Sequence, residues 1–276
     1  MHVIRRTLLG FALFVVLCVA LAATPRAQGL DITTANVVDL THPLDSDTIY
    51  WPTDTQGFKL TPIFKGKTEG PEGYFYVAFR FCAPEHGGTH LDAPYHFAEG
   101  RKTTAEIPVK RLIGPAVVID ISAKAAKDRD YVLSVEDVTT WEAEHGKVPA
   151  GAIVLLRTGW SSRWPNRLAY LGDDTPGDAS NLHFPSYGPA AARLLVDRGA
   201  TVLGVDTASI DNGPSRKFFV HRIAGAANVA GLENLTNLDK LPPTGSWVAA
   251  LPMKIAGGSG APARVVAFVA SPARVP

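Results

Sequence analysis

Ala116-Val-Val-Ile-Asp-Ile121 is short, rich in β-branched residues and almost without polar interruption. A run of that kind, with no polar alternation, reads as a strand covered on both faces. Ala152 to Leu156 and Thr201 to Val205 repeat it, and Val37 to Leu40, Trp247 to Leu251 and Val265 to Val269 add further strands. Helical stretches fall between them. Ser134 caps one that runs through Trp141, with Gly146 just past its end. Pro189 opens another, Ala190 to Arg198, which Gly199 closes. Strand and helix alternate from residue 115 to residue 206, so the expected class is α/β.

The first two dozen residues are a separate object. Arg5 and Arg6 precede an uncharged apolar run from Leu8 to Ala23, followed by small residues. This is the layout of a secretory signal, with a cut near Ala22 or Ala27. The run is shorter than the ~20 residues of a spanning helix, so no stable membrane anchor is expected after cleavage. The expected organisation is a signal over residues 1–27 and a domain over residues 28–276. The expected location is exported, periplasmic or secreted; the Arg5-Arg6 pair leaves the route, general or twin-arginine, open.

Composition narrows the partners. The net charge is +1 and no cluster of cations stands out, which argues against nucleic acid. Of the two cysteines, Cys18 leaves with the signal, so no internal disulfide forms; Cys82 is expected as a small buried hydrophobe. The stretch from Trp160 to Pro185 shows neither helical nor strand periodicity and reads as a rim or lid, with Trp160 and Trp164 packing inside it.

Chemistry concentrates after Tyr74 to Phe81, an aromatic run that reads as a strand. It leads into Pro84-Glu-His86-Gly-Gly-Thr-His90-Leu-Asp92-Ala-Pro-Tyr-His96. The i, i+4 spacing of His86 and His90 suits a helix, but Gly87, Gly88 and Pro94 do not. On an extended chain the even-numbered His86, His90, Asp92 and His96 project from one face. Three imidazoles and a carboxylate suit Zn²⁺ or Mn²⁺, and the glycines would let backbone approach an ion or substrate. His42 and His145 read as surface or helix-end residues without a role, and Gly257 to Gly260 as a hairpin turn.

This stretch resembles the His-x-Gly-Thr-His-x-Asp-x-Pro-x-His signature of the cyclase family, which includes bacterial metal-dependent kynurenine formamidases and isatin hydrolases. Ile49-Tyr50-Trp51-Pro52 is similar to the family's early aromatic–proline segment. His221 and Glu233 match its downstream ligands, and Leu251-Pro252-Met253-Lys254 with Gly257-Gly258 its close; together these cover most of residues 36 to 270. The resemblance implies a swivelling β/β/α domain and a homo-oligomer, dimer or tetramer. It also implies His86, His90 and Asp92 on a first metal, with Asp92, Glu233 and His221 on a second where two ions are used. His96 would be off the metal as general base and acid, and Trp51 against the substrate.

The implied activity is hydrolysis of a small cyclic or N-formyl aryl amide or lactam. A dication acidifies water and polarises the carbonyl, and His96 moves the proton. No Gly-x-Ser-x-Gly elbow offers a serine route. Two other readings are an exported metal- or ligand-binding protein without turnover, and a lactone hydrolase or cyclase on the same scaffold. A spare base at His96 argues against pure binding.

Overall fold

The computed structural model describes residues 33–270; the export signal expected over residues 1–27 lies outside them. The chain begins with β1 (Asn36–Asp39), β2 (Lys59–Lys67), β3 (Phe75–Cys82) and β4 (His90–Asp92). It continues through β5 (Ile113–Asp120), α1 (Ser122–Ala125), β6 (Val132–Leu133), α2 (Val135–His145), β7 (Ile153–Arg157) and α3 (Arg167–Leu171). Then follow β8 (Ser186–Tyr187), α4 (Pro189–Asp197), β9 (Val202–Val205), α5 (Phe219–Ala226), β10 (Ala230–Glu233), β11 (Ser246–Pro252) and β12 (Gly260–Val269). The strands and the two capped helices read from the sequence are all present. Ser134 accepts from the Asp137 amide while Asp137 accepts from the Ser134 amide, and Gly146 takes the positive φ of 86° that ends α2.

Eight strands form one sheet in the order β1-β12-β11-β5-β7-β9-β10-β4, and β4 pairs back onto β12, so the sheet closes on itself. The parallel centre, β5-β7-β9-β10, is linked by crossovers that carry the helices. Successive side chains of these strands enter two different cores, which is why the runs lack polar alternation. Val117, Ile119, Val154, Leu156, Leu203 and Val205 pack with Val138 and Trp141 of α2, Leu195 of α4 and Val220 of α5. Val118, Ile153, Leu155 and Val202 point the other way, into the closed sheet with Leu91, Leu232, Val248 and Val265. Each such buried aliphatic side chain contributes roughly 1.5–3 kcal/mol.

A third cluster joins the Trp160 to Pro185 segment to the body. Trp160, Tyr170, Leu171, Leu182 and Phe184 pack with Ile49, and Trp51 and Trp164 lie against them. The Gly177 amide donates to the Pro52 carbonyl at 2.8 Å. The segment is thus a packed wall behind Trp51 and not a free lid. His42 corrects the surface reading: it is buried, stacks on Trp164 at 4.2 Å between ring centroids, and burial pushes its pKa down to about 4. His145 does end α2, and His183 bonds Asp130 at 2.8 Å.

The aromatic strand also departs from expectation. β2 and β3 form a two-stranded ribbon outside the main sheet, exposed along nearly its whole length, and Cys82 at its end is exposed rather than buried. The position of β3 was readable, whereas β2 was not read as a strand; nor was the lack of cover readable, because a strand pattern does not say what packs on it.

Candidate metal centre

Sheet closure builds the site. β4 lies between β10 and β12, in a register that sets Glu233 opposite His90 and both Gly231 and Gly260 opposite Asp92. Of the even-numbered set, only His90 and Asp92 occupy this strand. His86 stands on the loop before it and His96 ends a short 3₁₀ turn, Pro94–His96, so the one-strand reading holds for two of the four. All four still converge. Donor atoms of His86, Asp92 and His96 lie within 4.8 Å of one another, and so do those of His90, Asp92 and Glu233.

The glycines serve this convergence differently from expectation. A Cβ on Gly87 would meet the Tyr50 ring at 2.0 Å, and the two residues bridge as strand partners. Gly88 adopts a φ of +58°, which favours glycine. Their freedom therefore admits the wall residue Tyr50 and turns the chain into β4.

Three imidazoles are oriented by their outer nitrogens. His90 Nδ1 donates to the Gly88 carbonyl at 2.9 Å, leaving Nε2 buried without a hydrogen-bond partner. That Nε2 lies 3.2 Å from Asp92 Oδ1 and 3.5 Å from Glu233 Oε2. His221 Nδ1 donates to Asp211 Oδ2 at 2.7 Å, and its Nε2 faces Asp92 Oδ2 and Glu233 Oε1, both at 3.1 Å. Ser259 Oγ donates its one proton to Glu85 Oε2 at 2.6 Å and so accepts from His86 Nε2 at 2.9 Å. His86 Nδ1 then points at Asp92 Oδ1, 2.6 Å away. Nitrogen lone pairs facing carboxylate oxygens repel unless protons or a cation stand between them. Imidazoles fixed through their other nitrogen in this way are the usual arrangement of metal ligands. The residues present therefore fit a dication.

The electrostatics agree. Asp92 and Glu233 are buried, and among the described residues neither meets a lysine or arginine. Burial opposes charge on His90, yet Asp92 and Glu233 outweigh it and hold the ring at about 9. His221 is likewise raised, against burial, by Asp211, Asp92 and Glu233. Burial and the Asp92 charge raise Glu233, whereas the imidazoles drive Asp92 well down despite its burial. Two buried carboxylates this close are stable only with compensating positive charge.

His96 differs from the other three. Its ring stacks on His86 at 3.8 Å and stands edge-on to Phe97. Burial, joined by the charges of His86, His221 and His90 and opposed by Asp92, pushes its pKa down to about 4, so it is neutral near pH 7. A cavity of about 290 Å³ opens over these residues, walled by Ile49, Tyr50, Trp51, Phe97 and Phe218. All of the expected site residues, His86, His90, Asp92, His96, His221, Glu233 and Trp51, border it.

Four participants were not foreseen. Asp211 orients His221 and also accepts from the Val220 and His221 amides at the start of α5. Glu85 and Ser259 orient His86. Asn234, at a φ of 55°, donates to the Gly88 carbonyl, while its own carbonyl accepts from Thr89 Oγ1 at 2.6 Å. Glu85 adjoins the motif and could have been questioned; the other three carry no local signal.

The Cyclase family model matches residues 38–212. An isatin hydrolase from Roseibium aggregatum is 35% identical over 245 residues, 84% of this chain and 91% of the relative. A kynurenine formamidase from Salinibacter ruber is 27% identical, over 83% of this chain and 96% of the relative. A crystal structure of an isatin hydrolase bound to the product analogue thioisatinate superposes with a TM-score of 0.78 at 32% identity, covering 87% of this chain and 94% of the other. A predicted metal-dependent hydrolase from Bacillus stearothermophilus gives 0.62 at 27% identity, covering 85% and 98%. With its motif on β4, its α/β fold and these relatives in agreement, the chain belongs to the cyclase family of hydrolases.

Proposed function

We propose that the protein hydrolyses the amide bond of a small, neutral aromatic lactam of the isatin type. The observation that carries this reading is the set of three oriented imidazoles facing two buried carboxylates at the floor of an aromatic cavity. His86, His90 and Asp92 would hold one dication, and Asp92, His221 and Glu233 a second where two are bound; Zn²⁺ and Mn²⁺ both suit this mixed nitrogen and oxygen set. When bound there, such an ion polarises a carbonyl and acidifies water.

The chain's own residues supply the rest. Trp51, Phe97 and Phe218 hold a flat ring against the floor. His96, neutral near pH 7, accepts the proton of the attacking water and returns it to the lactam nitrogen as the C–N bond breaks. The product is a single ring-opened molecule that bears both a carboxylate and an aryl amine, the acid's proton passing to solvent, and neither a serine nor a cysteine is consumed.

The walls favour a neutral substrate over an amino-acid side chain such as N-formylkynurenine. The one carboxylate on the rim is Asp54, and no lysine or arginine lines the cavity among the described residues. A substrate carboxylate would enter without a cationic partner. Steady-state comparison of isatin with N-formylkynurenine tests this. The expected preference in kcat/KM for isatin is on the order of 10²-fold, the loss from one unpaired charge in a closed site. Equal or reversed preference rejects the neutral-substrate reading.

The apolar run Leu8 to Ala23 behind Arg5 and Arg6 supports export of the enzyme, with residues 1–27 removed. Mass spectrometry of the protein from its host should find a chain beginning between about residues 23 and 30; one beginning at Met1 rejects export with cleavage.

A further inference from the structure

The Gly88 carbonyl oxygen is shared by two donors. His90 Nδ1 donates to it at 2.9 Å and Asn234 Nδ2 at 2.8 Å, so both of its lone pairs are taken. A carbonyl carries no proton, so the Asn234 amide presents its NH₂ group to Gly88 and turns Oδ1 the other way. There Tyr170 Oη, 2.9 Å away, donates to Oδ1, the only hydrogen bond that this oxygen receives among the described residues. Asn234 holds the adjoining peptide through its main chain as well, because its carbonyl accepts from Thr89 Oγ1 at 2.6 Å. The Gly88 amide in turn donates to the Ile49 carbonyl at 3.0 Å.

The far end of this chain of bonds is anchored. Tyr170 is wholly buried on α3, which Asn166 caps by accepting from the Ala169 amide at 2.9 Å. The Tyr170 carbonyl accepts from Trp160 Nε1 at 2.7 Å, and its ring stands edge-on to Trp164 at 5.4 Å. Both tryptophans belong to the packed cluster on which Trp51 lies. Asn234 adopts a φ of 55°, a left-handed conformation that asparagine tolerates better than most residues. The carbonyl clamped in this way decides which nitrogen of His90 faces Asp92 and Glu233. A ring released from Gly88 can turn about its Cβ–Cγ bond and offer either nitrogen, so fewer molecules stand ready for an ion.

We infer that Tyr170 and Asn234 are positioning residues of the metal centre: they hold the Gly88 carbonyl where it keeps His90 Nε2 toward the ion. The inference rests on the reading of His90 as a metal ligand. It makes the wall segment part of that ligand's support, through a hydroxyl three hydrogen bonds from the imidazole. Tyr170 is not among the residues that border the cavity, so its effect on the ion runs through Asn234 and not through contact.

Titration of metal-free protein with Co²⁺, followed by the visible absorption of the bound ion, tests this with Tyr170→Phe, Asn234→Gly and the double variant. Tyr170→Phe keeps the ring and its packing, and Asn234→Gly removes the amide without straining the positive φ. Tyr170→Phe should bind Co²⁺ about tenfold more weakly and with an altered absorption spectrum, the lower end of what loss of a ligand's support does. Asn234→Gly should bind it up to about a hundredfold more weakly. Because Tyr170 acts through Asn234, the double variant should match Asn234→Gly and not multiply the two losses. Exchange of the Asn234 side-chain amide protons, followed by NMR on the unaltered protein, gives a reading that needs no variant to fold. By thermodynamic reciprocity, loading with Zn²⁺ should slow that exchange by about tenfold. Co²⁺ binding that Tyr170→Phe leaves unchanged in strength and spectrum overturns the relay while the metal centre stands. Multiplied losses in the double variant, or amide exchange indifferent to Zn²⁺, overturn it too. An unaltered protein that binds no Co²⁺ rejects the metal centre and the relay together.

Discussion

Two halves of the candidate metal centre are built in opposite ways. The upstream half, Glu85 to His96, is one short strip of chain that turns at Gly88, crosses the sheet as β4 and turns again at Pro94. The downstream half is scattered over Asp211, His221, Glu233, Asn234 and Ser259. Those residues come from a loop, a helix, the end of β10 and the hairpin before β12. A contiguous strip needs only local geometry to gather its ligands. The dispersed half exists only because β4 closes the sheet between β10 and β12, so its integrity depends on the whole fold. Substitutions in the strip should therefore act on the ion directly, and those in the dispersed half by degrees.

Asp92 is where the halves meet, touching His86, His90 and His221. Asp92→Ala should leave almost no metal per chain after dialysis and lower kcat/KM by on the order of 10⁴-fold, since both candidate ligand sets use it; His86→Ala should follow it closely. Full metal occupancy in either variant would break the assignment of the strip.

His96→Ala is the next largest effect and differs in kind. The account expects metal content to remain while kcat falls by about 10²–10⁴-fold, the usual worth of a positioned acid–base group. Loss of metal in step with activity would make His96 a ligand instead, as its closeness to His86 and Asp92 permits.

In the dispersed half, Glu233→Gln keeps the shape but removes a charge, so metal content should drop to a part of the unaltered value and activity should fall with it. Asp211→Asn keeps a hydrogen-bond acceptor for α5 but weakens its hold on His221. Residues that orient a ligand typically change metal affinity by about 10–100-fold, and metal titration should show a loss in that range. Ser259→Ala should be the mildest, near the bottom of the same range, because Asp92 still holds His86. A Ser259→Ala loss exceeding that of Asp211→Asn would reverse the ranking of the two supports.

The same contrast explains what could be read in advance. The α/β class was legible because Ala116 to Ile121 and its counterparts are buried on both faces, which leaves unbroken apolar runs. The strip was legible because three imidazoles and a carboxylate stand within eleven positions, from His86 to His96. His221 and Glu233 were reached by family resemblance, and the structure brings both to Asp92. Asp211 and Ser259 gave no sign, since an ordinary aspartate and serine become partners only through sheet register and the hairpin. His42 and Cys82 were misjudged for a related reason. Burial there depends on Trp164 packing in from a distant segment and on a ribbon that leaves the body, neither of which periodicity records.

The central claim is that these residues hydrolyse a lactam through a bound dication. It is tested most directly by following isatin consumption with one preparation before chelation, after chelation, and after stoichiometric return of Mn²⁺ or Zn²⁺, with elemental analysis at each stage. The account predicts that activity disappears with the metal and returns with it. Undiminished hydrolysis by protein shown to be free of metal would contradict it.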